Sequence, residues 1–271
     1  MGEVVHTLPE GDKVCGVTSL REEIYVLKWK GHCEVEVYDV ITFRLLRCLT
    51  LPNIRSVTDV TSCERYRCVY ASDNVVKCVH RLDLQGAVTQ WAVHDVPRAL
   101  SVNTAHNVLV TCNRFRKVKE FTSRGYLLRE VVLPDDVVTP WHAIMSDGGQ
   151  FVVSHGHLYA AEHRVCKLTA DGRHIVHSHG GLQSPDGDQY HIPRHLAVDN
   201  NEFVFVLDIL NRRVTMLSPT LEYVRQVVGP DQLKWSPYRM SLDVQRRRLY
   251  VTENRYENKN YTSGRVLVFS V

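Results

Sequence analysis

The chain has 271 residues, 44% of them hydrophobic and 23% charged, enough for one large core or two ordinary ones. A balance of 33 basic to 30 acidic residues, net +3, excludes any argument for nucleic acid from bulk charge alone. No apolar run approaches the ~20 residues of a membrane span, and the first residues lack the basic-then-apolar order of a secretory signal.

Taken in chain order, the sequence reads as short alternating runs separated by turn residues, with no segment of helical period. Glu3 to Pro9 is an isolated strand. One unit opens near Val14 and a second near Ser56. A third opens at Pro97-Arg98-Ala99-Leu100 and continues through Val108 to Val110, Val118 to Phe121 and Arg129 to Val132. The fourth opens at Pro140-Trp141-His142 and runs through Phe151 to Val153 and Arg164 to Leu168 to Ile175-Val176. The fifth is the clearest, with strands at Arg194 to Asp199, Phe203 to Leu207, Arg213 to Ser218 and Tyr223 to Val228. The sixth opens at Pro237-Tyr238-Arg239 and supplies only three strands, Met240 to Val244, Leu249 to Thr252 and Val266 to Val271.

Openings near 14, 56, 98, 141, 194 and 238 lie about 41 to 53 residues apart, the length of a four-stranded propeller blade. The expected fold is therefore all-β. It is a single domain, 1–271, forming a six-bladed β-propeller of four-stranded antiparallel blades. Glu3-Val4-Val5-His6-Thr7-Leu8-Pro9 reads like Arg129-Glu130-Val131-Val132-Leu133-Pro134, a fourth strand. Residues 3–9 are expected to complete the last blade and close the ring, which removes the exposed edge. The eight cysteines form no Cys-x-x-Cys pair and lie mostly in apolar runs, as buried free thiols of a reduced, cytoplasmic setting do.

Asp208-Ile209-Leu210-Asn211-Arg212-Arg213-Val214 resembles the core of an NHL repeat, where Asp, Asn and Arg bracket the turn between second and third strands. The match is complete in this blade. Elsewhere it reduces to the Arg-Val or Lys-Val pair, with Asp73 kept in the second blade and Cys112 replacing it in the third. The resemblance implies a protein-binding or RNA-binding platform of the kind found as the C-terminal domain of TRIM-NHL proteins. No RING or B-box cysteine pattern occurs, so any ubiquitin-ligase activity would lie outside this chain.

In a propeller the start of each first strand and the turn after each second strand share one face. Reading those positions gives Arg55, Arg98, Trp141, His142, Arg194, His195, Tyr238 and Arg239 around the channel mouth, none of them acidic. The surrounding turns add Lys28, Arg114, Phe115, Arg116 and Arg255. Arginine beside aromatic rings suits single-stranded or stem-loop RNA, through phosphate pairing and base stacking, and equally suits an acidic protein segment. The expectation is a monomeric binding module with no catalytic residue, no cofactor and no metal. The alternative is a metal-dependent hydrolase or lyase. It would start from His142 and His195, which occupy equivalent places in adjacent blades; Arg239 and Ala99 at the neighbouring places supply no third ligand, but His155, His157 or His163 of a nearby loop could.

Overall fold

The computed structural model describes residues 1–51, 53–157, 162–181, 189–257 and 260–271. Runs of alternating residues with tight turns between them satisfy their backbone groups by pairing with the next run, and every sheet here is built that way. Strand β1 (Glu3–Thr7) precedes the blades. The first blade is β2 (Lys13–Leu20), β3 (Glu23–Trp29), β4 (Cys33–Asp39) and β5 (Leu45–Leu51). The second is β6 (Val57–Cys63), β7 (Cys68–Asp73), β8 (Cys78–Asp83) and β9 (Val88–Ala92). The third is β10 (Pro97–Val102), β11 (Val108–Cys112), β12 (Lys117–Phe121) and β13 (Leu127–Val132). The fourth is β14 (Pro140–Met145), β15 (Phe151–His155), β16 (Arg164–Leu168) and β17 (Ile175–Gly180). The fifth is β18 (Pro193–Val198), β19 (Val204–Asp208), β20 (Arg213–Leu217) and β21 (Tyr223–Val228). The sixth is β22 (Ser236–Asp243), β23 (Arg248–Glu257) and β24 (Asn260–Ser270), with β1 as its fourth strand.

The fold is a six-bladed β-propeller, and the ring is closed by the antiparallel pairing of Glu3 with Ser270 through Thr7 with Leu267. The core lies in the seams between blades. The closing seam holds Leu8, Val14, Ile24, Tyr250 and Val268 from the two ends of the chain. The opposite seams follow the same rule, as where Phe151 and Val153 of the fourth blade meet Leu109 and Val118 of the third. All eight cysteines are free, and six of them are buried. No helix among the described residues is long and apolar enough to cross a membrane. The β23–β24 hairpin is longer than the expected Leu249–Thr252 and Val266–Val271, and this extension carries Tyr256 and Tyr261.

Two repeated devices position the site. Each first strand carries a β-bulge near its start, at Val14/Gly16, Val57/Asp59, Pro97/Ala99, Pro140/His142, Pro193/His195 and Pro237/Arg239. A bulge re-aims the side chains beside it. The second device is a carboxylate at the end of a second strand that holds the linker into the blade. Asp208 accepts the His191 amide at 2.8 Å, and its other oxygen takes Asn211 at 2.6 Å and Arg213 at 3.1 Å. Asp73 accepts the Arg55 amide at 2.6 Å, and Glu253 the Trp235 amide at 3.0 Å.

A candidate ligand-binding site at the channel mouth

The six bulges stack two layers of side chains about the channel axis. The residue after each bulge is Gly16, Asp59, Ala99, His142, His195 or Arg239. Gly16 contributes no side chain, and a Cβ there would lie 2.6 Å from Val60 Cγ1. The four polar members form a septum across the channel. Asp59 pairs with Arg239 Nε at 2.9 Å. It also accepts the Leu100 amide at 2.8 Å and His195 Nε2–H at 3.2 Å. Arg239 in turn donates to the Thr58 carbonyl at 2.5 Å. His142 stacks on His195 with ring centroids 4.1 Å apart. Its Nδ1 accepts the Leu196 amide at 2.9 Å, which places its proton on Nε2, facing the Leu100 carbonyl at 3.1 Å.

All four side chains are buried. Burial drives His142 well below its ordinary pKa, and the neighbouring His195 adds to this. Burial also lowers His195, against the pull of Asp59. For Asp59 burial acts upward, but the charges of His195 and Arg239 outweigh it and hold the carboxyl below the usual carboxylate range. With His195 driven toward its neutral form, the permanent charge on Arg239 is what keeps Asp59 ionised. The septum thus ties blades two, three, four, five and six across the axis. Beyond it a cavity of about 220 Å³ runs between the far ends of the first strands, lined by Thr18, Ser62, Ser101 and Ser241.

The bulge residues themselves form the outer layer: Cys15, Thr58, Arg98, Trp141, Arg194 and Tyr238. Arg98 and Arg194, from the blades on either side, lie 4.7 and 5.4 Å from the Trp141 ring. Arg194 also lies 4.4 Å from the Tyr238 ring, and Arg239 lies 4.6 Å from it. Trp141 is only 6% exposed, and its Nε1–H donates to the Gly156 carbonyl at 2.9 Å. The β23–β24 hairpin brings Tyr261 to 6.0 Å from Tyr238, with Lys13 over its ring at 5.2 Å.

Arg98 and Arg194 differ from interior cations such as Lys28, Lys167 and Arg213, which meet an acid. Both are half-buried, and the Nε of each is sealed from solvent without a hydrogen-bond partner. No carboxylate among the described residues pairs with either. Burial, then the neighbouring Arg194 and Arg239 charges, push the Arg98 guanidinium below its ordinary pKa. Because arginine keeps its proton in proteins, the consequence is a strongly positive potential rather than a neutral side chain. Tyr238 registers the same field: burial would raise its pKa, yet Arg194, Arg239 and Arg98 bring it down.

The remaining expected positions divide. Arg55 and Arg114 are exposed on the rim, with Arg114 over the exposed ring of Phe115 at 5.3 Å. Arg116 is held by Asp135 at 2.5 Å and Arg255 by Glu257 at 2.6 Å. Three placements correct the expected mouth. Lys28 is 4% exposed and spent on Glu36 at 2.6 Å, because it occupies in the first blade the place Asp73 and Asp208 occupy in theirs. His142, His195 and Arg239 lie in the septum beneath the mouth, with their polar atoms engaged inside the protein. The layer is also not free of acid, since Asp59 sits at its centre. Val57 stands where four other blades have proline, which hid the register that reveals Asp59. Asp59, His142 and His195 do bring ligand atoms within 4.8 Å of one another. A metal ion there would compete with the hydrogen bonds of His142 to Leu196 or Leu100 and with the partners of Asp59, namely Arg239, His195 and the Leu100 amide.

No protein-family model matches the chain, and neither does any curated protein sequence. Solved structures do resemble it. A streptogramin B lyase superposes with TM-score 0.65 at 12% identity, covering 99% of this chain and 89% of that one. Virginiamycin B lyase from Staphylococcus aureus gives TM-score 0.64 at 12% identity, covering 97% of this chain and 88% of its own. The Cps50 (Swd1) β-propeller domain of Myceliophteria thermophila gives 0.63 at 12% identity over 100% of both chains. At such identities the likeness is one of fold. The class defined is a six-bladed propeller whose channel is crossed by a polar septum beneath a basic, aromatic mouth.

Proposed function

We propose that this propeller is a non-catalytic binding module, and that an anionic group of its ligand seats at the channel mouth between Arg98 and Arg194. The observation that carries this reading is the pair of half-buried guanidiniums with no carboxylate partner among the described residues. Burying an unpaired charge is unfavourable by several kcal/mol in general. Several other interior cations are answered by an acid: Lys28 has Glu36, Lys167 has Glu202, Arg213 has Asp208 and Arg239 has Asp59. Two such charges set together about Trp141 at the mouth make a place for an incoming anion. The Asp208, Asn211 and Arg213 turn supports placing the chain with NHL-like propellers. In that setting it serves as the RNA-binding or protein-binding part of a larger TRIM-NHL-like protein. The hydrolase or lyase alternative has less to stand on, because the His142 and Asp59 donors that it needs are engaged with Leu196, Leu100 and Arg239.

Thermal unfolding in acetate or inorganic phosphate, against chloride at equal ionic strength, tests the seat. A bound anion stabilises the folded state by RT ln(1 + [L]/Kd), about 2.7 kcal/mol at a hundred times Kd. The melting temperature of the wild type is expected to rise with acetate or phosphate, and that of the Arg98→Gln/Arg194→Gln variant to stay flat. An equal response in both proteins would place any anion elsewhere and remove the basis for this reading.

A further inference from the structure

Resting on that reading, we infer that the group seated at the mouth is a carboxylate side chain of an acidic protein segment. Three features select it over a nucleic acid. First, base recognition on single strands needs open ring faces. Two guanidiniums already lie over Trp141 and two over Tyr238, and the indole N–H is tied to Gly156. The two inner rings of the mouth are therefore already engaged by cations, and the exposed rings of Phe115 and Tyr256 lie out on the rim.

Second, a polynucleotide follows a continuous stripe of unpaired cations, because each phosphate along it carries charge. Here four of the rim cations are neutralised by their own neighbours, which interrupts any such stripe, although Arg55 and Arg114 stay open. Lys30 meets Glu34 at 2.8 Å, Arg116 meets Asp135 at 2.5 Å, Lys117 meets Glu130 at 2.5 Å and Arg255 meets Glu257 at 2.6 Å. The half-buried open charge of the inner mouth is at Arg98 and Arg194, a seat for one anion rather than a track for many. A carboxylate matches the fork of a guanidinium, and two guanidiniums lie about Trp141 here.

Third, the rim beside the seat is apolar and aromatic. Phe115 is 54% exposed and Tyr256 59%. Tyr256 and Tyr261 pack edge to face at 5.1 Å, at the tip of the β23–β24 hairpin. Arginine and tyrosine about a central anchor, with apolar surface beside it, is the composition of a protein-binding hot spot. A peptide laid across the mouth would place its acidic side chain between the two arginines and neighbouring apolar side chains against Phe115 and Tyr256.

A displayed library of random octapeptides and a randomised single-stranded RNA pool, each applied to the whole chain, decide the matter. Enrichment of peptides bearing Asp or Glu is expected. The Glu→Gln form of a selected peptide should bind at least ~30-fold more weakly, as should the parent peptide on Arg98→Gln/Arg194→Gln protein. If that variant does not fold by circular dichroism, Arg194→Lys alone keeps the charge, loses the fork and probes the same seat. Enrichment of RNA in place of peptides, lost in the variant, overturns the peptide assignment and leaves the binding-module reading standing. Peptides without acidic bias, or peptides indifferent to both arginines, also overturn it. If neither pool is enriched while acetate still stabilises the wild type, the seat stands without a peptide. If acetate has no effect either, both readings fall.

Discussion

Replacing Asp59 by Asn leaves Arg239 charged and buried, with its carboxylate gone. The amide oxygen of Asn can still accept the Leu100 amide, so the loss isolates the ion pair. Breaking a buried pair by removing one partner costs about 3–5 kcal/mol. Asp59 and Arg239 are 1% and 2% exposed, so solvent does little to soften this figure. For a domain near this size 1 kcal/mol moves the melting temperature by roughly 2–4 °C, so a fall on the order of 10 °C is expected. Arg239→Met should cost a similar amount. Asp59→Asn with Arg239→Met should cost clearly less than the sum, because removing both charges leaves nothing uncompensated. Urea unfolding of the four proteins, followed by circular dichroism, gives the coupling. The acid limb gives a second reading. Asp59 titrates lower in the folded protein than when unfolded, so its contribution is present above the usual carboxylate range and is lost as pH falls through the depressed folded value. Asp59→Asn should flatten that limb. A single variant within 1 kcal/mol of the wild type, or strict additivity, would refute the septum as a staple across the ring.

Two further outcomes follow from the same geometry. Removing residues 1–9 strips β24 of its partner and takes Leu8 out of the closing seam; a loss of soluble monomer on gel filtration is expected, and an unchanged melting temperature would contradict closure by β1. Arg98→Gln should leave the anion-free protein as stable as the wild type or more so, by about 1 kcal/mol, because it relieves repulsion from Arg194 and Arg239; a drop of more than 1 kcal/mol in chloride buffer would show that Arg98 serves the fold.

The ring was legible because proline opens four blades at the same structural step, the strand-start bulge, and repeats it at blade spacing. The same dependence on proline made the second blade illegible. With Val57 in that place, the mouth position was read at Arg55, and the acid of the septum went unseen. A signal was present: Asp73 matches Asp208, and counting back from each across its strand pairing sets Val57 against Pro193 and Asp59 against His195. The same count sets Lys28 against Asp208 and removes it from the mouth. The pairing of rim cations was out of reach for another reason. Lys117 meets Glu130 across two strands, and Arg116 meets Asp135 across a turn, so their neutralisation depends on register and not on residue type. Sequence shows a basic mouth with acids such as Asp135 and Glu257 in its outer loops, whereas the structure sorts the cations into those an acid meets and those no described acid meets. Arg239 and Arg98 make the distinction plain. They occupy successive layers of one channel, and Asp59 faces the first while nothing in the described chain faces the second. A half-buried guanidinium beside an indole, with no carboxylate partner among the described residues, is the observation on which the proposed anionic partner rests.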